Sequence, residues 1–268
     1  MILYAIPTPL GGAPQDALPA PALETIRTLR DFVVENAKSA RAFLGAAGMP
    51  VRELSIVAID QQGDLLAPLR EGRPLGLLSE AGCPAIADPG AALIEAAQRE
   101  GYRVVPLIGP SSITLALMAS GLEGQRFAFC GYLPRDAGER ARRIRELEAR
   151  SRRERETQIF IETPYRNDTL FAALLETCAP ATRLCVAADL TLATESIRSR
   201  TVAEWRRMRG AIGKRPAVFL LFSAGLKTGS STATSAGPSF GAVTITRCGS
   251  RVAMRARSIP WSIAALNA

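Results

Sequence analysis

The residues best suited to hold a reactive ligand lie in two breaks of the chain. These are Gly76–Gly90, GLLSEAGCPAIADPG, and Val104–Ser112, VVPLIGPSS. In each, an apolar run gives way to glycine, proline and small side chains just before a helical pattern begins. Gly82, Pro84, Pro89 and Gly90 interrupt both the helix and the strand period, so 79–90 reads as irregular loop. Loops leaving strand ends gather free backbone N–H groups and helix N-termini, and two of them suggest one pocket built from neighbouring strands. On the residues alone, two ordinary strand-to-helix turns are an equal reading. The chain contains no histidine. That removes Ser-His-Asp and Cys-His nucleophiles, the zinc deaminase and HExxH sites, and any histidine base. GxxxxGK[ST] and GxGxxG are absent as well. The chemistry left is one that needs a bound, already activated cosubstrate more than a protein nucleophile. Methyl transfer from a sulfonium fits, because its leaving group is neutral and the protein supplies mainly alignment and one base.

The elements that must position these loops alternate. Strand-like runs at Ile2–Ile6, Phe32–Glu35, Leu54–Ile59, Leu75–Ser79 and Val104–Leu107 are separated by helical patterns near 22–30, 37–47, 63–70 and 90–100. This predicts an α/β fold with a mostly parallel sheet and helices on both faces. Ser111–Ala119 begins with two serines able to cap a helix, continues almost wholly apolar, and ends at Gly121. Beyond it, strands at Phe127–Cys130, Gln158–Ile161, Leu184–Ala187, Glu195–Thr201 and Ala217–Phe222 and helices at 136–155 and 166–177 form a second set, partly antiparallel. Two α/β domains are expected, 1–115 and 116–223, followed by a low-complexity, flexible extension, 224–268, rich in glycine and serine.

Composition sets outer limits. A chain of 268 residues that is 47% hydrophobic can bury a large core. No run reaches the roughly 18 apolar residues of a membrane span, and MILYAIPTPLGG reads as a first strand and not a signal peptide. Five cysteines without a CxxC argue against disulfides or a zinc site and for a cytoplasmic location. The formal charge of +8 favours an anionic partner only weakly, since Lys227, Arg247, Arg251, Arg255 and Arg257 follow Phe222 with no acid among them. Nine arginines between Arg135 and Arg155 alternate with glutamates at three- and four-residue spacing. That is the pattern of a solvated helix face, with a phosphate-tracking surface as the competing reading.

YAIPTPLGG, LLSEAGCPAIADPG, VVPLIGPSS, FAFCGYLPR, TQIFIETPYR and LCVAADLT occur in the order found in the tetrapyrrole methylase superfamily, which residues 1–223 resemble. Within it the chain looks closest to the ribosomal RNA small-subunit methyltransferase I branch and a sister group of that branch. The resemblance implies S-adenosylmethionine folded between two α/β domains, a homodimer, and RNA as substrate at a ribose 2′-oxygen. A tetrapyrrole or other small anionic metabolite is the alternative substrate, and a non-catalytic cofactor- or partner-binding protein a further one. Carried over block by block, the cofactor contacts are Pro9, Leu10, Ala81, Gly82, Cys83, Ile86, Ser111, Ser112, Glu162, Ala188 and Leu190, mostly through backbone. Cys83 is expected to line the pocket and not to act as a nucleophile. The branch's E-D-T-R block stands here as Glu35, Asn36, Ala37 and Lys38, which keeps a carboxylate and a positive charge but loses the arginine fork. Glu35, Lys38, Glu80 and Asp88 are the candidate bases, and no metal is expected. Arg135, Tyr165 and Arg166 are the candidate substrate contacts, with Tyr132 a further ring able to stack on a base. Each has a structural counterpart: a turn or cap for Asp88, a helix-start pair for Glu35 and Lys38, an interface anchor for Arg166, packing for the tyrosines.

Overall fold

A computed structural model describes residues 1–208 and 210–224, together with the short strands Thr246–Cys248 and Arg251–Ala253. The compact unit Met1–Gly225 holds two five-stranded sheets. The first is built from β1 (Ile2–Ile6), α1 (Pro14–Ala17), α2 (Ala20–Thr28), β2 (Asp31–Val34), α3 (Ala37–Ala46), β3 (Ser55–Ala58), α4 (Ala67–Arg70), β4 (Leu75–Leu78), α5 (Ala91–Arg99) and β5 (Arg103–Pro106). Its strands run parallel in the order β3-β2-β4-β1-β5. Because both faces are covered by helices, β2 and β4 are buried at every residue, which is why they read as unbroken apolar runs. One face packs Ile6, Phe32 and Val34 with α2 and α3; the other packs Leu3, Val33 and Leu77 with α4 and α5.

The strand order decides where a site can form. Placing β1 between β4 and β5 brings the loops that leave these three strands, 7–12, 79–90 and 107–111, to one end of the sheet. This is the crevice position of open α/β sheets, outside the carboxyl ends of neighbouring strands.

The second sheet comprises α6 (Ser112–Ser120), β6 (Phe127–Tyr132), α7 (Ala137–Glu154), β7 (Thr157–Glu162), α8 (Asn167–Thr177), β8 (Arg183–Ala188), β9 (Ser196–Thr201), α9 (Val202–Arg207) and β10 (Ala217–Phe222). Its order is β6-β7-β10-β8-β9, parallel only between β6 and β7. Helices α7, α8 and α9 cover one face around Phe160 and Phe219. The apolar α6 covers the other, with Ile113 and Ala116 against Ile159, Ala187 and Val218. Since α6 packs along its length on the second sheet, residue 115 falls inside an element of that layer.

Some elements differ from expectation. The helical pattern at 63–70 closes only over Ala67–Arg70, since Gly63 sits at φ 144. Helices α1 and α9 were not foreseen. The two serines at the start of α6 do not cap it: Ser111 takes the N-cap position but makes no side-chain cap bond. The expectation of a flexible extension over 224–268 lies mostly outside the described residues. Within it, Thr246–Cys248 and Arg251–Ala253 pair antiparallel in the separate unit Leu226–Ala268.

Candidate active site

The loop after β1 and the loop after β4 are tied directly. Thr8 N–H donates to Gly82 O at 2.9 Å and Gly82 N–H donates back to Thr8 O at 3.0 Å. Gly82 has φ +83, where a side chain is strained, and a Cβ there would stand 3.3 Å from Leu10 Cδ2. The loop after β5 closes on the same place. Gly109 is so near that a Cβ would lie 2.4 Å from Pro7 Cβ, and the Cys83 thiol reaches Pro110 O at 3.4 Å. Close backbone approach is thus what the small residues provide.

These loops face the strand ends of the second sheet across a cavity of about 300 Å³. From the first side it is lined by Leu10, Ala81, Gly82, Cys83, Ile86 and Asp88. Ser111 and Ser112 at the start of α6 line it too, as do Glu162 after β7 and Leu190 after β8. Nine of the eleven expected cofactor contacts therefore border one hollow. Pro9 and Ala188 do not. The pleat explains Ala188, because successive residues of β8 point to opposite faces. Ala187 looks into the cavity, while Ala188 belongs to the core under α8 and α9. Asp189, Leu192, Pro216 and the first residues of β10, Ala217 and Val218, also line the cavity and were not anticipated. The AADL strand end was the available signal for Asp189.

Backbone strain is concentrated here. Among the described residues five non-glycine residues have positive φ, and four lie in the two facing loops: Ala85 (64), Ala87 (67), Asp189 (52) and Thr191 (71). Such conformations cost of order 1 kcal/mol each and persist where surrounding structure holds them, often at ligand sites.

Among the four candidate bases, Asp88 lines the cavity and the others do not. Glu35 and Glu80 stand behind it, with the Glu35 carboxylate accepting the Glu80 backbone N–H at 3.0 Å. Partial burial, then the charges of Glu35 and Glu80, raise the Asp88 carboxyl to about 6 against a stabilising hydrogen bond from Ser79. Lys38 is exposed and contributes its backbone N–H to the Asn36 cap of α3, so the helix-start role describes it. The Cys83 thiol is raised by burial and by Asp88, which keeps it protonated and poorly nucleophilic.

Arg166 ion-pairs with the buried Glu162 at 2.8 Å, and Glu162 also accepts the Thr163 N–H at 2.8 Å. The pair fixes the tight turn Pro164–Arg166 and leaves Tyr165 79% exposed, with Lys214 Nζ 5.3 Å from its ring centroid. Tyr132, 58% exposed, lines the cavity from the other edge. Arg135 is exposed away from the lining residues, and its carbonyl accepts from Arg140 at 2.8 Å.

The family profile described as Tetrapyrrole (Corrin/Porphyrin) Methylases matches residues 10–205. A protein of Mesorhizobium japonicum named ribosomal RNA small subunit methyltransferase I is 33% identical over 203 residues, 75% of this chain and 67% of that one. Its namesake in Escherichia coli O157:H7 is 31% identical over 205 residues, 75% and 70% of the two chains. Among solved structures, the methyltransferase CobJ superposes with a TM-score of 0.57 at 18% identity, covering 83% of this chain and 94% of its own. Uroporphyrin-III-C-methyltransferase from Thermus thermophilus does so at 0.50 and 20% identity, covering 82% and 91%. The profile spans most of the chain and the solved folds share its two α/β layers. This chain belongs to the tetrapyrrole (corrin/porphyrin) methylase family and is a methyltransferase.

Proposed function

We propose that the chain transfers a methyl group from S-adenosylmethionine to RNA, at a ribose 2′-hydroxyl. The observation that carries this reading is the single cavity between the two sheets, lined by backbone-rich loops, in a chain similar to ribosomal RNA methyltransferases. A volume of about 300 Å³ is at the lower end of the range for small-molecule pockets. The donor set suits an amino-acid cofactor: glycine and alanine turns admit it closely, and α6 begins without a side-chain cap, so its leading N–H groups stay available for a carboxylate. When bound, S-adenosylmethionine supplies an electrophilic methyl on a sulfonium. The chain's own residues align it and manage one proton. Leu10, Ala81–Cys83 and Leu190 hold the ligand, and the strained loops keep that frame rigid. Asp88 takes the proton of the acceptor hydroxyl, which its raised carboxyl can do once ionised above about pH 6. Tyr132 and Tyr165 give the acceptor nucleotide exposed rings to rest on.

Two further features belong to the same reading. Ile108 and Met118, 77% and 79% exposed, offer an apolar surface for a second copy of the chain in a homodimer. A cytoplasmic location goes with this reading; no helix among the described residues is long and apolar enough to cross a membrane.

A small anionic metabolite, such as a tetrapyrrole, is the second reading. The loss of the arginine fork at Lys38 favours it. Incubation with labelled S-adenosylmethionine and a lysate separated into RNA and small molecules decides between them. Label in RNA supports the proposal, and label only in small molecules supports the second. Label in neither, with no calorimetric binding of S-adenosylmethionine, leaves a non-catalytic protein.

A further inference from the structure

A second cavity, of about 190 Å³, lies on the opposite face of β8, under α8 and α9. Phe171 and Trp205 form its apolar floor, edge to face with ring centroids 5.2 Å apart. The Trp205 Nε1–H is already given to Leu184 O at 2.8 Å, so the ring offers the cavity apolar surface and no donor. Arg198 stands at the rim, exposed and with no carboxylate partner among the described residues. The register of β9 against β8 sets it opposite Val186, on the cavity side of the sheet. The remaining wall, at Gly210–Ile212, is held in place from α8. Asp168 accepts the N–H groups of Ile212 and Gly213 at 2.7 and 3.2 Å, and Asn167 donates to Gly213 O and Arg215 O at 3.2 and 2.6 Å.

Arg215 lines this second cavity and donates to the Asp189 carboxylate at 2.7 Å. Asp189 lines the first cavity. A single ion pair at the end of one strand is therefore shared by both hollows.

We propose that the second cavity binds a nucleoside monophosphate unit and is coupled to the methyl-transfer cavity through Arg215 and Asp189. The apolar corner between the two perpendicular rings takes the base, for which the volume suffices, and Arg198 at the rim takes the phosphate as a bidentate partner. Arg215, drawn toward the same phosphate, loosens its hold on Asp189 and so alters the wall of the first cavity. The coupling is reciprocal, because two sites that bias one element must change each other's affinity by the same factor. The unit can be a free nucleotide or the 5′ end of an RNA.

Calorimetry on the full chain tests this with adenosine monophosphate as the probe, in saturating S-adenosylhomocysteine so that the first cavity is occupied. The expected result is one site per chain, about tenfold weaker for adenosine or for inorganic phosphate alone, and about tenfold weaker in Arg198→Ala, the loss of one guanidinium–phosphate contact. Ala211→Phe, which fills the cavity from its exposed wall, is expected to abolish binding while its melting temperature stays that of the parent. A 5′-phosphorylated trinucleotide that binds more tightly than the monophosphate identifies RNA as the source, and the reverse order identifies free nucleotide. Binding that S-adenosylhomocysteine displaces competitively, or that neither substitution changes, overturns the site. An S-adenosylhomocysteine affinity unaltered by the nucleotide, and unaltered again in Arg215→Lys, overturns the coupling. Incorporation of label into RNA is read separately, so failure here leaves the methyl-transfer reading standing.

Discussion

Asp88 is costly to fold around, and that cost has a pH signature. Its carboxyl is raised from an ordinary value of 3.8 to about 6, so between these values the folded chain binds more protons than the unfolded one. Stability from this group is present below about pH 4 and is lost as pH rises through 6. Asp88→Asn is therefore expected to stabilise the protein at pH 8 by roughly 1 kcal/mol, after discounting for solvent around a half-buried group, and to have no such effect at pH 4. Chemical denaturation at the two pH values checks it. The same substitution is expected to lower kcat by about 10²-fold or more, the usual worth of a positioned base, with the parent's kcat/KM, which reports the free protein, rising through an apparent pKa near 6. At Cys178 and Cys185 burial pushes the thiols up to about 12, so alkylating reagents at pH 8 are expected to modify both more slowly than the half-buried Cys83 and Cys130. Peptide mapping by mass spectrometry reads this.

Helix α7 separates residues that matter to the element from residues that merely cover it. Glu148 is buried, accepts the Ala179 N–H at 2.8 Å and also takes the Thr182 hydroxyl, which ties α7 to the turn before β8. Glu148→Ala leaves both donors unpaired and is expected to cost about 1–3 kcal/mol in urea unfolding. The exposed arginines behave differently. Arg142 and Arg143 share Glu146, Arg150 pairs with Glu156, and Arg153 with Glu154. These are surface pairs worth about 0–1 kcal/mol, so Arg142→Ala is expected to leave stability within roughly 0.5 kcal/mol. Much of the element plan was legible beforehand, because buried parallel strands must be continuous apolar runs and their ends must break at glycine and proline. Helix α9 was legible too and was passed over: Thr201 and Glu204 form a complete capping box, visible as T-x-x-E. Its six residues, half of them charged, are too few for a clear apolar period, and they follow directly on strand β9. Which of Ala187 and Ala188 faces the cavity was not legible, since the pleat phase of β8 is fixed by pairing with β10 over a long separation. The Arg215–Asp189 pair was hidden for the same reason.

At the scale of the molecule, the two sheets make one site because of strand order and not because of any single motif. The residues alone suggest one pocket for the loops after β4 and β5, with two ordinary turns an equal reading, and the loop after β1 joins them only by resemblance; parallel pairing of β1 with both β4 and β5 is what brings the three together. Gly11 adds a contact across the gap, since a Cβ there would stand 2.5 Å from Leu192 Cδ2 in the loop after β8. Charge acts at this scale as well. With most α7 arginines matched by glutamates, the salt dependence of RNA affinity is expected to come from elsewhere, and Arg142→Ala is expected to change the slope of log Kd against log salt by well under the roughly 0.7–0.9 that one lost phosphate contact gives. The measurement that tests the shared site most directly is a crystal structure of the full chain with S-adenosylhomocysteine. The ligand is expected between the 81–88 loop and the 187–192 strand end, with Asp88 facing its sulfur. A ligand seated anywhere else, or a Gly82→Val variant that binds it as tightly as the parent, would contradict the assignment.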